Sequence, residues 1–168
     1  MSGSAEWRPM AADDLPAIGD LSNRVHADYP ERLAVLREKH TLFYEGCFTL
    51  TDGAGAVAGY CFSHPWSGDK PPALDSFLEK IPADSTGYFI HDLTLAPSMR
   101  GQNLAGRVVE MVVAVAEARG CRRITLVAVS GSSPFWKRMG FQQVNDAPAQ
   151  LATQDKYGVS ALLMQRAL

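Results

Sequence analysis

The chain carries little cysteine, little net charge and no long apolar run, and each shortage removes a class of function. Only Cys47, Cys61 and Cys121 stand among the 168 residues. Their count is odd and their spacings match no zinc pattern, which argues against a disulfide scaffold or a zinc ribbon. Each lies in or beside a strand-like run, so all three read as reduced core residues of a cytoplasmic protein. Lys and Arg total 16 against 18 Asp and Glu, a net charge of −2. That balance offers no electrostatic footprint for nucleic acid. No stretch approaches the roughly 18 apolar residues of a membrane span. The four histidines are too dispersed to propose a metal site. "MSGSA" lacks the basic and apolar regions of a signal peptide, and residues 1–4 read as a tag or a disordered end. Neither internal repeats nor low-complexity tracts are present. What remains is one domain spanning 1–168, with 46% apolar and 20% charged residues. A chain of this length buries roughly two-thirds of its unfolded surface, so a proper core is expected.

The pattern along the chain mixes strands and helices. "EWRPM" reads as a short first strand. "ADDLPAIGDLSNRVHADY" reads as a helix, with Asp13 or Asp14 as cap, Pro16 in its first turn, and Ile18, Leu21 and Val25 on one face. "ERLAVLREKH" restarts a shorter helix after Pro30. "GCFTLTDGAGAVAGYCFSHPW" is a hairpin whose "DGAG" supplies glycines for positive φ. "SGDKPPALD" is a loop, and "SFLEK" predicts one or two helical turns. "GYFIHDLTLAP" is a strand ended by Pro97. "NLAGRVVEMVVAVAEARG" is a long amphipathic helix stopped by Gly120. Leu104, Val108, Val112 and Val115 line one side of it, and Arg107, Glu110 and Glu117 the other. "RRITLVAV" ends in a continuous apolar run of the kind buried in a sheet centre. "SSPFWKRMG" is a short helix with a serine cap, and "FQQV" and "VSALLMQRAL" are two further strands. A strand–helix–strand unit over 87–129 favours a parallel pair with a right-handed crossover.

The unusual feature is "APSMRGQNLAGRVVE". It places Arg100, Gly101, Gln102, Asn103, Leu104, Ala105 and Gly106 where a strand ends and a helix begins. A helix N-terminus offers unpaired N–H groups and about half a positive charge, both of which suit a phosphate. Gly101, Ala105 and Gly106 leave the backbone bare. Asn103 tolerates the left-handed region, and Arg100 adds a forked cation. Read by itself, this pattern fits a pyrophosphate cradle or an ordinary strand–turn–helix corner.

"LTLAPSMRGQNLAGRVV" resembles the acetyl-CoA motif of the GNAT superfamily of N-acetyltransferases, with Arg100, Asn103 and Ala105 at its marked positions. "VAVSGSSPFWKRMGF" resembles the next strand and helix of that family, closing on Gly140 and Phe141. The resemblance covers about 88–141 well. It implies a mixed α/β, mostly antiparallel twisted sheet with a parallel splayed strand pair and flanking helices. It also implies acetyl-CoA as co-substrate and an amine of a small molecule or peptide as acceptor, attacking directly in a ternary complex. Members often dimerise through edge strands. Two departures stand out. Asn103 replaces a usual glycine, and Trp136 replaces a frequent tyrosine that acts as general acid. An indole cannot protonate a thiolate. This keeps open an alternative, an acyl-CoA-binding sensor that is weak as a catalyst.

The resemblance further implies that pantetheine pairs with the main chain of Leu93, Thr94 and Leu95. The 100–106 turn would hold the pyrophosphate, and Ser130 and Ser133 would add polar contacts. Phe135 and Trp136 would pack along the coenzyme; plain core packing explains those rings equally well. "YFIHDLTL" offers His91 and Asp92, on opposite faces of one strand, as base or water-orienting groups. A lone strand histidine also serves simply as a satisfied structural residue. The acceptor side is marked only by polar-aromatic clusters, from which Tyr29, Tyr44, His64 and Trp66 are candidates. His26 and His40 read as helix surface. A nucleotide-binding enzyme is a further rival, but no Lys-Ser/Thr pair follows the loop and no three-glycine dinucleotide pattern exists.

Overall fold

The computed structural model describes residues 3–67 and 70–168. Met1, Ser2, Gly68 and Asp69 lie outside the described residues, so part of the expected 67–75 loop and of the N-terminal tag is among them. Gly3 is placed, its amide donating to the Gly53 carbonyl at 3.2 Å.

Among the described residues a single sheet of seven strands forms the frame: β1 (Glu6–Pro9), β2 (Cys47–Thr51), β3 (Val57–Pro65), β4 (Gly87–Leu95), β5 (Arg123–Ala128), β6 (Gln142–Gln143) and β7 (Leu162–Ala167). Their spatial order is β1-β2-β3-β4-β5-β7-β6. Every neighbouring pair is antiparallel except β4 and β5, which run parallel as the crossover unit requires. The helices are α1 (Leu15–Val25), α2 (Leu33–Leu42), α3 (Leu104–Ala118), α4 (Ser133–Arg138) and α5 (Ala147–Tyr157).

The sheet has two covered faces. On one, α3 lays Leu104, Val108, Val109, Val112, Val113 and Ala116 against Tyr88, Ile90, Ile124 and Leu126. Each fully buried valine there contributes about 1.5 kcal/mol of apolar transfer. On the other, Leu15, Ile18, Leu21 and Leu36 of α1 and α2 pack on Tyr60 and Phe62. Trp7 ties the first strand to the start of α3, its indole N–H donating to the Leu104 carbonyl at 2.8 Å.

Several local expectations change. Asp14 does not cap α1 with its side chain. Its carboxylate turns back to accept from the Ala11 amide, the Thr49 hydroxyl and both Arg8 guanidinium nitrogens. Ser132 likewise precedes α4 without a side-chain cap. "SFLEK" forms no helix. Asp75 and Glu79 take positive φ, 51° and 68°, and the Glu38 carboxylate binds the Leu78 and Glu79 amides that a helix would have used. β5 is not buried on both faces: Ile124, Leu126 and Ala128 are buried, while Arg123 is exposed and Thr125 and Val127 are half-buried along cavities. Finally, α5 lies between the last two strands, where only strands were expected. Asp146 caps it by accepting from the Ala149 amide, and Gly158 at φ 100° ends it.

Candidate active site

The site exists because β4 and β5 part company. Their pairing runs from Gly87 opposite Arg123 to Ile90 opposite Leu126 and then stops. Beyond it, the strands enclose a cleft of about 430 Å³. Leu93, Thr94 and Leu95 form one wall, and Val127, Val129 and Ser130 the other. Arg100 and Ala105 line it from the turn into α3, His26 from the end of α1, His91 and Asp92 from β4, and Ser132, Phe135 and Trp136 from the start of α4. The β4 edge facing this gap has lost its strand partner, so its N–H and C=O groups there can pair with an extended ligand.

The turn into α3 has the geometry its residues favour. Asn103 sits in the left-handed region at φ 57° and ψ 20°, and Gly101 has φ 81°. Asn103 makes no side-chain capping bond. The first-turn amides therefore keep the unpaired donors of any helix start. Gly106 permits this packing, since a Cβ there would lie 2.6 Å from the Asn103 Oδ1. Exposed Arg100 completes a bare, positively charged corner that fits a pyrophosphate. Gln102 bonds the Ser98 carbonyl instead of facing the cleft.

His91 and Asp92 belong to two histidine–carboxylate pairs, and a β-bulge explains why they meet. Opposite β3, Phe62 pairs with Asp92 and Ser63 with Ile90, which leaves His91 as the extra residue. Strand parity therefore flips there. Tyr88 and Ile90, then Leu93 and Leu95, pack toward α3. His91 and Asp92 both turn to the α1–α2 side and line the same cavity, not opposite faces.

His91 is enclosed, with 0% side-chain exposure, and its Nε2 lies 2.9 and 3.0 Å from the Glu31 carboxylate oxygens. Burial alone pushes the Glu31 carboxyl up. The charge and hydrogen bond of His91 outweigh this and hold it below the usual range. An ionised carboxylate only accepts, so His91 Nε2 carries the proton toward it. His91 Nδ1 is then a bare lone pair when the ring is neutral, and it is buried without a protein partner. The Glu31 Oε2 also accepts the Asp75 amide at 3.2 Å.

The second pair is His26 with Asp92. Asp92 accepts from the Tyr60 hydroxyl at 2.7 Å and from Thr94 Oγ1 at 2.8 Å. Thr94 has spent its proton on Asp92, so its oxygen accepts from His26 Nε2 at 2.6 Å. His26 Nε2 also lies 3.3 Å from Asp92 Oδ1. The hydrogen bond and charge of Asp92 raise the His26 pKa despite burial. Burial would raise Asp92, but the His26 and Tyr60 bonds hold it below the ordinary carboxylate range.

Other expected site residues lie elsewhere. Tyr44 is 64% exposed on a 3-10 turn before β2 and lines no part of the cleft. His64 is buried in β3 against Trp66 and Phe89, and burial depresses its pKa to about 3. Trp66 lines a separate cavity with Lys70, Thr125 and Gln165. Tyr29 does line a cavity with His91 and Asp92, and Ser132, not Ser133, borders the cleft. Trp136 is 7% exposed and packs edge-on against Phe135 and Phe141 while touching the cleft. His26 and Glu31 were missed in the sequence. Neither sits in a motif, and only the α1–α2 turn carries them to β4.

Comparison with known proteins agrees with this frame. No relative is found among curated protein sequences. Among solved structures, the loading GNATL domain of CurA from Lyngbya majuscula superposes with a TM-score of 0.78 at 12% identity, covering 98% of both chains. The GNAT-like decarboxylase GphF in complex with isobutyryl-CoA gives 0.75 at 17% identity, covering 96% of this chain and 98% of that one. The PaiA N-acetyltransferase from Thermoplasma acidophilum in complex with coenzyme A gives 0.69 at 11% identity, covering 98% and 99%. A family model described as Acetyltransferase (GNAT) family matches residues 9–141. Splayed parallel strands, the turn at Asn103 and a match over most of the sequence belong together: this chain is a member of the GNAT acetyltransferase family.

Proposed function

We propose that the protein moves an acetyl group from acetyl-CoA to the amine of a small molecule or peptide, by direct attack in a ternary complex. The observation that carries this reading is the partnerless Nδ1 of His91, fixed by Glu31 at the end of the β4–β5 cleft. Arg100, Gly101 and the amides from Asn103 to Gly106 would hold the pyrophosphate. The free edge of Leu93 to Leu95 would take the pantetheine, with Ser130, Ser132, Phe135 and Trp136 alongside. The thioester then lies beside the bulge. A main-chain N–H of that edge faces the carbonyl oxygen, where negative charge grows as the amine adds.

The amine nitrogen attacks the carbonyl carbon, the C–N bond forms and the C–S bond breaks. Its proton passes to His91 Nδ1, as Glu31 steadies the imidazolium. Asp92 and His26 form a second relay, with Asp92 orienting His26 through Thr94. The departing thiolate, with a pKa of about 8.5, takes its proton from solvent or from His26. Trp136 cannot supply it. Three free, buried cysteines fit a cytoplasmic home. No helix among the described residues is long and apolar enough to cross a membrane.

Trp136 also favours one other reading, a domain that binds acyl-CoA as a sensor without turning it over. Thiol release from acetyl-CoA across an amine panel, run beside calorimetric titration of CoA, separates the two. Amine-dependent release supports the enzyme. Saturable CoA binding with no release on any amine supports the sensor.

A further inference from the structure

Behind the bulge, the cleft opens into a smaller chamber of about 50 Å³. It shares His26, His91 and Asp92 with the cleft and adds Tyr29, Glu31, Leu74 and Tyr157. We infer that this chamber is the acceptor pocket and that it takes a slender primary ammonium on an uncharged, unbranched stem. The inference rests on the acetyltransferase reading above and specifies its substrate class.

Charge comes first. The chamber wall presents two carboxylates, Glu31 and Asp92, and among the described residues no lysine or arginine lines it. An arriving ammonium is attracted there. A carboxylate close to the nitrogen, as in a free amino acid, would face Glu31 and Asp92, with only the imidazoles of His26 and His91, each already paired with one of those carboxylates, to answer it. Size comes next. A space of this volume holds only a few water-sized groups, enough for the nitrogen and about two or three carbons. Leu74, Val127 and Val129 make the remaining wall apolar.

The roof is fixed. Tyr157 of α5 donates its hydroxyl to the Pro72 carbonyl at 2.6 Å, and Lys156 Nζ donates to the Pro71 carbonyl at 2.8 Å. The same segment is tied to α2 by Arg32 on Asp75 and by Lys39 on the Ser76 carbonyl. α5 and the 71–76 segment thus clasp each other over the chamber and set its width. In the reaction, the ammonium gives one proton to His91 Nδ1 and attacks as the neutral amine. Its second proton leaves to solvent as the C–N bond forms, and the thiolate takes its own from solvent or from His26.

The test is a comparison of kcat/KM by thiol release for propylamine, β-alanine, isopropylamine and an alanyl peptide amide. β-Alanine is propylamine with a carboxylate in place of the methyl group. Propylamine is expected to exceed β-alanine and the peptide at least 100-fold and isopropylamine at least 10-fold. Leu74→Ala is expected to shrink the propylamine-to-isopropylamine ratio at least threefold. β-Alanine or the peptide within 10-fold of propylamine, or an unchanged ratio in Leu74→Ala, overturns the pocket assignment. CoA binding with no transfer to any of the four fails differently: it overturns the enzyme reading itself.

Discussion

Replacing His91 separates its role in chemistry from its role in the fold. In His91→Ala, Glu31 keeps its burial at 5% side-chain exposure but loses the hydrogen-bonded partner that holds its pKa down. A charge-assisted hydrogen bond contributes about 1.5–3 kcal/mol, and stranding one member of a buried pair costs about 3–5 kcal/mol. For a domain of this size, 3 kcal/mol lowers Tm by about 6–12 °C. His91→Gln is gentler. Its amide N–H can still donate to Glu31, so a loss of about 1–2 kcal/mol is expected. The rates should not follow the stabilities. Neither Ala nor Gln offers a base near neutral pH, so both variants should lose about 10²–10⁴ in kcat at saturating acetyl-CoA and amine. Thiol release at 25 °C, where both remain folded, and thermal unfolding by circular dichroism supply the two numbers. If His91→Gln keeps more than a third of the wild-type kcat, His91 is not the base. An unchanged Tm in His91→Ala would mean that the buried pair contributes nothing to the fold.

Three further outcomes follow from other parts of the structure. Arg100→Ala should weaken CoA about 10- to 100-fold by calorimetry, from loss of a charge-assisted contact. Asn103→Val should weaken CoA by about tenfold through left-handed strain, while Asn103→Gly stays within about threefold; equal affinities would refute the turn geometry. The Asp14 carboxyl is lowered from 3.8 to about 2, chiefly by its Arg8 bonds, so its stabilisation is present above about pH 4 and fades as pH falls toward 2. With Arg8 partly exposed, that contribution is about 1 kcal/mol, and Arg8→Ala should flatten urea midpoints over this range. An unflattened profile would point to other carboxylates. Burial pushes the Cys47 thiol up to about 12, and Cys61 and Cys121 are also buried and raised. A thiol reagent at pH 8 should therefore label the native protein slowly and the unfolded chain at all three sites. Prompt native labelling would contradict that burial.

Local signals carried the middle of the chain. The β4–α3–β5 unit was legible because an apolar strand, a proline stop, a bare turn and a helix-period face follow one another without conflict between levels. Asn103 was readable because few other residues accept its φ. The missing parts are tertiary. A bulge leaves no mark in "FIHDL", since the extra residue is defined only by what pairs across from it. Alternation therefore put His91 and Asp92 on opposite faces. His26 and Glu31 reach the site from a turn far away in sequence, and His26 reads locally as helix surface. "SFLEK" has helical composition, but Glu38 takes its amides. α5 did leave a signal, Asp146, Pro148 and Gly158 bracketing a helical span, beneath weak amphipathicity.

The extra residue in β4 works like a one-letter insertion in a reading frame. Upstream, odd-numbered positions face the α1–α2 side. Downstream, even-numbered ones do. Leu93 and Leu95, and the His91 and Asp92 that reach Glu31 and His26, thus share one continuous strand yet show their side chains to opposite faces of the sheet. Excising that single residue would restore regular alternation and leave only one of the two histidine–carboxylate pairs, with most of the hydrophobic packing still intact.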